Sequence, residues 1–121
     1  MFKRVDEEEA SKLELLYKEW IDSGKKGRPE ISVIDFVTDC FTKFIKLSMP
    51  LRTTFQDHKF VLDNPYKAMD RESWIELDKI ISILVRFSEV FHNKDIIGII
   101  RRTDDLCKSV FKWFDVHEAE A

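Results

Sequence analysis

Apolar residues recur every three or four positions along most of this 121-residue chain, and this spacing constrains the fold more than any other feature. The three Gly and three Pro fall almost entirely between the periodic segments, which they divide into five pieces. The last two pieces are rich in Ile and Val, but their period is near 3.6 residues and no hairpin dipeptide such as Asn-Gly interrupts them. The pattern therefore predicts helices throughout and an all-α fold.

The first two segments are typical of amphipathic helices. The first covers about residues 6–23, where Asp6 starts a capping box and Gly24 ends the helix. The second begins with another cap at Ser32 and Asp35, and its apolar residues cover about half of a helical wheel. The other half carries Thr and charged residues, so we expect that half to face solvent.

Two long helices are predicted in the second half of the chain. Asp70 caps one of them, over about residues 71–92, and its apolar arc covers well over half of the helical wheel. Such a helix should lie near the centre of the fold. Asn93 starts the last helix, over about residues 94–116. Its apolar arc includes Ile99, and it carries opposite charges at spacings that pair along a helix.

A shorter helix is predicted between these halves, over about residues 50–62, because Pro50 is favoured in a first helical turn. The short loops between segments favour antiparallel neighbours. The sequence thus predicts one domain over residues 1–121, an antiparallel helical bundle of four long helices plus one short helix. We expect residues 1–5 and 117–121 to be frayed tails.

Composition and charge exclude several classes of protein. The chain has 20 basic and 23 acidic residues, a net charge of −3, so the bulk positive charge typical of nucleic-acid binding is absent. No apolar run approaches the roughly 18–20 residues of a membrane helix. The acidic residues near the start replace the apolar run that a signal peptide needs, and the two cysteines are expected to be buried thiols. We therefore expect a cytoplasmic protein that does not enter a membrane.

Motifs for metal or cofactor chemistry are missing from the sequence. The chain has no Cys-x-x-Cys, no Glu-x-x-His and no glycine-rich phosphate loop. His58 is a lone histidine on an apolar helix side, where it is more often a hydrogen-bonded core residue than a ligand. We expect no metal site, no cofactor, no small-molecule ligand and no catalysis by a local motif.

A pair of residues with catalytic potential is formed by Arg86 and His92, six positions apart on an apolar segment. This spacing resembles the catalytic motif of the HEPN ribonuclease superfamily, whose members are small helical bundles that dimerise to pair their motifs. The resemblance implies cleavage of an RNA phosphodiester, with Arg86 stabilising negative charge and His92 moving a proton. The polar residue common after the Arg in that family is Phe87 here, and the same spacing recurs at Arg52 and His58.

A local basic strip offers a second alternative, a helical nucleic-acid-binding subunit that contacts phosphates. Acidic residues are interleaved along the same stretch, which favours an ordinary solvated surface over a phosphate-binding strip. The strip comprises Lys25, Lys26, Arg28, Lys43, Lys46, Arg52 and Lys59.

Two apolar residues lie on helix faces that are otherwise polar, and they are the main indication of an interaction surface. Leu15 and Phe60 each fall opposite the apolar stripe of their own segment, so neither should join the core that its neighbours form. Together with the wide apolar arc of the helix predicted over about residues 71–92, they indicate that the bundle buries more against a partner than it buries alone. Trp20, Trp74 and Trp113 join them as candidate anchors, because aromatic residues dominate many interfaces.

The favoured function is therefore a non-catalytic protein–protein interaction module. We expect an adaptor or a subunit of a larger assembly that associates with itself as a homodimer. Nucleic-acid binding through the basic strip and a HEPN-like ribonuclease are the alternatives.

Overall fold

The structure describes four α-helices and two short 3-10 turns over their whole length. The computed structural model describes residues 7–25, 27–49, 51 and 62–118, and no strand occurs in these ranges. The helices are α1 (Glu7–Asp22), α2 (Ile31–Leu47), α3 (Arg71–Arg86) and α4 (Lys94–Glu118), and the 3-10 turns are Pro65–Lys67 and Ser88–Val90. The predicted all-α fold is confirmed. The predicted short helix over 50–62, which includes Phe60, lies largely outside the described residues.

The helix α3 lies at the centre of the bundle, as the wide apolar arc of this segment predicts. It packs against both α2 and α4, while α1 packs against α2. Six of its side chains are fully buried, so its apolar faces meet neighbours on two sides. These residues are Trp74, Leu77, Ile80, Ile81, Ile83 and Leu84.

Aromatic contacts join three helices at the end of α3. Phe87, which follows α3 directly, is fully buried, and its ring centroid lies 4.9 Å from that of Tyr17 on α1 and 5.9 Å from that of Phe36 on α2. The Tyr17 hydroxyl accepts a hydrogen bond of 3.1 Å from the backbone N–H of Glu89. This end of the bundle is therefore held by packing and by one polar contact.

The helix α3 is shorter than the segment of about residues 71–92 that the sequence predicts. It ends at Arg86, and not at residue 92, because the chain turns into the 3-10 turn Ser88–Val90 and then continues as a loop. The backbone N–H of Val90 donates to the carbonyl of Phe87, and the N–H of Glu89 donates to Tyr17 instead of continuing the helical ladder. Tertiary contacts at Phe87 thus end a helix whose apolar periodicity continues.

Two predicted helix starts are confirmed and one is wrong. Asp70 accepts a hydrogen bond of 2.8 Å from the backbone N–H of Ser73, and Asn93 accepts one of 2.8 Å from that of Asp95. The cap predicted at Ser32 is wrong, because α2 already begins at Ile31, one residue before Ser32. The carbonyl of the preceding Glu30 accepts from the N–H groups of residues 33 and 34, without a side-chain cap.

We predict that Gly98→Ala stabilises the monomer by about 0.5–1 kcal/mol. Gly98 lies inside α4, and a Cβ added at this position meets no atom within 4 Å. Alanine lowers the backbone entropy of the unfolded chain and fits the helix without strain. Thermal unfolding at low protein concentration checks this prediction, and a lower melting temperature would contradict it.

We predict that Asp78→Asn raises stability at neutral pH and that the gain disappears in acid. Burial between α3 and α4 raises the pKa of the half-buried Asp78 carboxyl; the negative charge of Asp104 raises it further, and Lys108 partly offsets both. A raised pKa in the folded state means that protonation favours folding, so this contribution is present at low pH and is lost as the pH rises through the folded pKa.

The size of this gain should be about 0.5 kcal/mol, because water still reaches Asp78 and screens its charge. Thermal melts of both proteins between pH 3 and pH 7 measure it, with Asp105→Asn on the exposed side of α4 as the control. A destabilised Asp78→Asn protein at pH 7 would mean that the ionised carboxylate makes stabilising contacts.

Candidate interaction surface

Near its start, the longest helix carries a small exposed face with an apolar centre. Asp95, Gly98, Ile99 and Arg102 are spaced three, four and seven residues apart, so they share one side of α4. Ile99 is 40% exposed, Asp95 and Arg102 are exposed, and Gly98 is half-buried. We call these four residues the α4 face. Sequence reasoning missed it, because it placed Ile99 within the apolar arc that packs in the core.

No close contact in the described part of the chain requires a glycine at position 98 of the α4 face. Gly98 has an ordinary helical backbone conformation, and an added Cβ would meet open space. Glycine in a helix interior costs about 0.5–1 kcal/mol relative to alanine. The same position lets another backbone approach α4 closely, which a side chain would prevent.

The other end of α4 carries a cluster of aromatic rings. Tyr66 lies edge-on to Trp113 at 5.9 Å and against Phe114 at 5.4 Å, and the His117 ring stacks on Trp113 at 4.1 Å. Tyr66 is exposed, whereas Phe114 is almost fully buried. We call these four residues the aromatic cluster. It joins the 3-10 turn Pro65–Lys67 to the end of α4.

Charged contacts hold the aromatic cluster to the start of α3. Arg71 lies 5.9 Å from the centroid of the Phe114 ring, and its Nε lies 3.1 Å from a carboxylate oxygen of Glu118. The Tyr66 hydroxyl donates to the same carboxylate, and this hydrogen bond raises the pKa of Tyr66. The helix α4 continues through His117 and Glu118, and the contacts of Glu118 with Arg71 and Tyr66 join its last turn to the start of α3 and to the 3-10 turn.

The three tryptophans predicted as interface anchors fall in different environments. Trp74 is fully buried and donates a hydrogen bond of 3.0 Å to the carbonyl of Pro65, so it has no surface to offer a partner. Trp20 is also buried. Of the three, only Trp113 is partly exposed, within the aromatic cluster. Packing against neighbouring elements covers Trp74 and Trp20 in the single chain, and the role of the three tryptophans as interface anchors stays a prediction.

Leu15 lies outside the core, as its position on the helical wheel predicts. It is 65% exposed on α1. Its neighbours one turn away along the helix are all polar and exposed, so it forms no apolar patch with them. These neighbours are Ser11, Lys12, Lys18 and Glu19. The predicted contact of Leu15 with a partner stays a prediction, as does that of Phe60, which lies outside the described residues.

The candidate catalytic pair is separated by the early end of α3. Arg86 is the last residue of that helix, and its guanidinium nitrogens lie 3.4 Å from a carboxylate oxygen of Glu7 and 3.5 Å from one of Glu14. His92 is exposed in the loop beyond the 3-10 turn. The two carboxylates of α1 neutralise Arg86, and no contact between Arg86 and His92 occurs among the described residues.

The described cations of the basic strip are partly neutralised. Lys25 forms an ion pair of 2.6 Å with Glu89, and this pairing lowers the pKa of the Glu89 carboxyl. Lys43 pairs with Asp39 at 2.8 Å on the same helix. Arg28 and Lys46 are exposed, whereas Lys26, Arg52 and Lys59 lie outside the described residues. Phosphate binding by the strip stays a prediction.

A shallow groove of about 410 Å³ runs beside the first turns of α3. Four of its seven lining residues are charged, in contrast to the apolar lining typical of small-molecule pockets. Its acids belong to the start of α3, where the helix dipole stabilises negative charge. The charged residues are Asp70, Glu72, Glu76 and Lys79.

Both cysteines are free and buried, as the sequence predicts. Burial raises the pKa of the Cys40 thiol to about 12, and it also raises the pKa of Cys107. Since the thiolate is the reactive form, neither cysteine is a nucleophile at neutral pH.

Across residues 7–25, 27–49, 51 and 62–118, no three His, Cys, Asp or Glu side chains are grouped to hold a metal ion. No helix in the same ranges has the length and apolar character needed to cross a membrane. The chain matches no protein-family model, no curated protein and no solved structure.

Proposed function

We propose that this protein is a non-catalytic interaction module that associates with itself and acts as a subunit of a larger assembly. The observation that carries the proposal is the exposed Ile99 beside Gly98 on the longest helix. A glycine inside a helix destabilises the fold relative to alanine, and no atom in the described part of the chain lies close enough to Gly98 to require one. A second protein surface is the simplest reason for both features.

The absence of catalysis in this proposal rests on the environments of the reactive side chains. Arg86 is paired with two carboxylates, and both thiols are buried with raised pKa values. His92 is exposed in a loop. We place the protein in the cytoplasm, because two cysteines kept as free thiols are typical of a reducing compartment.

Sedimentation velocity tests the self-association directly. We expect the mass of the unaltered protein to rise toward twice the monomer mass as its concentration increases to about 1 mM, the range in which weak dimers form. Ile99→Glu should shift this transition to higher concentration, because it places a charge at the apolar centre of the α4 face.

Leu15→Glu is the matched control for Ile99→Glu. Leu15 is more exposed than Ile99, but polar residues surround it on α1, so the same substitution should leave association unchanged. A protein that stays monomeric over the whole concentration range would refute the proposed self-association. Dissociation by Leu15→Glu but not by Ile99→Glu would move the interface to α1.

A further inference from the structure

We propose that two copies of the chain associate through an antiparallel crossing of their α4 helices, centred between Gly98 and Ile99. This inference rests on the proposed self-association and names the surface and the geometry that produce it. The partner is a second copy of this chain. The contact is isologous, so each residue of the α4 face meets a residue of the same face on the other copy.

The charges of the α4 face are complementary to themselves only in the antiparallel arrangement. Asp95 and Arg102 lie at equal distances on either side of the midpoint between residues 98 and 99. An antiparallel crossing at this midpoint therefore sets Asp95 of each copy against Arg102 of the other. A parallel crossing would set each of these charges against its own kind, which is repulsive.

Both charges are available for such a contact. Asp95 and Arg102 are exposed, and neither forms an ion pair with another residue of the described chain. They are seven residues apart, about 10 Å along the helix, so they do not neutralise each other. A two-fold contact would complete two ion pairs at once.

The centre of the α4 face fits the same arrangement. In the antiparallel crossing, Ile99 of one copy packs against Ile99 of the other on one side of the contact. On the other side the two Gly98 residues face each other, and without side chains between them the helices approach closely. The crossing thus uses the exposed isoleucine and the glycine that the monomer does not need.

Charge reversal at the two positions tests the register. Asp95→Lys and Arg102→Glu should each weaken the dimer about tenfold or more, because symmetry converts two attractive pairs into two repulsive ones. The double variant should restore association, since the pairs re-form with reversed signs. Each variant is first checked for unchanged helical content by circular dichroism.

A mixture of the two single variants gives the sharpest readout. One variant then carries two positive charges on its α4 face and the other two negative charges, so they should associate with each other although neither associates with itself. Native mass spectrometry distinguishes this heterodimer from either homodimer, provided one variant carries a mass label. A mixture that stays monomeric would overturn the antiparallel register.

Gly98→Ala should change the stability of the monomer and the affinity of the dimer in opposite directions. It should raise the melting temperature of the monomer, as predicted above, yet weaken the dimer several-fold, because two methyl groups would separate the helices. If the unaltered protein dimerises but none of these variants changes its association, the α4 crossing is wrong and the proposed function stands. If the unaltered protein remains monomeric, the proposed function fails as well.

Discussion

Trp74→Ala is expected to destabilise the protein by about 3–5 kcal/mol, the range for truncating a large buried aromatic residue. Trp74 is fully buried in the central helix, and its indole N–H donates to the carbonyl of Pro65. Alanine leaves a cavity that the packed neighbours cannot fill, and it removes the donor from a buried carbonyl. Equilibrium unfolding in urea measures the change through the shift in midpoint.

Trp113→Ala is the matched control, because it makes the same substitution in a partly exposed tryptophan. Its cost should be about 1–2 kcal/mol, since water already reaches part of the ring. Trp74→Phe separates packing from hydrogen bonding, and should cost less than Trp74→Ala. Equal losses for Trp74→Ala and Trp113→Ala would show that Trp74 is not at the centre of the core.

Phe87→Ala should have the second-largest effect, about 3–4 kcal/mol. The Phe87 ring is fully buried between Tyr17 of α1 and Phe36 of α2, directly after α3. Its loss removes contacts to two other helices and loosens the turn whose Glu89 N–H donates to Tyr17. Urea unfolding gives the free energy, and hydrogen exchange at Glu89 reports the local loosening.

Phe91→Ala tests whether this effect comes from the position or only from the residue type. Phe91 lies four residues later, is half-buried, and contacts Phe41 with ring centroids 5.6 Å apart. We expect a cost of about 1–2 kcal/mol. If Phe91→Ala proves as costly as Phe87→Ala, then Phe87 does not hold the three helices together.

The start of α3 could be predicted from nearby residues, whereas its end could not. Asp70 caps the start of the helix as predicted, because its side chain needs only the backbone N–H of Ser73, three residues away. The other end was predicted six residues too late. Apolar periodicity continues past Arg86, but the burial of Phe87 and the hydrogen bond from Glu89 to Tyr17 depend on α1, which is distant in sequence.

Surface exposure could likewise be predicted only where it depends on a single helix. Leu15 is exposed as predicted, since a residue opposite the apolar stripe of a single helix cannot reach that core. Ile99 was assigned to the apolar arc of the last helix, and its 40% exposure depends on which part of that arc the neighbouring helices cover. The aromatic cluster requires Tyr66 to contact Trp113 and Phe114, which lie far away along the chain, and no sequence spacing reveals that contact.

The sequence by itself determined the helical class of the fold, the four long helices, the caps that start α3 and α4, and the central place of α3. These properties depend on hydrophobic periodicity and on caps, which act within a few residues. Only the tertiary structure decided that Trp74 is a core residue, that Arg86 is held by two carboxylates of α1, and that Gly98 and Ile99 remain uncovered. Burial and ion pairing between helices depend on which faces meet in space, and that choice is made by the packing of the whole bundle.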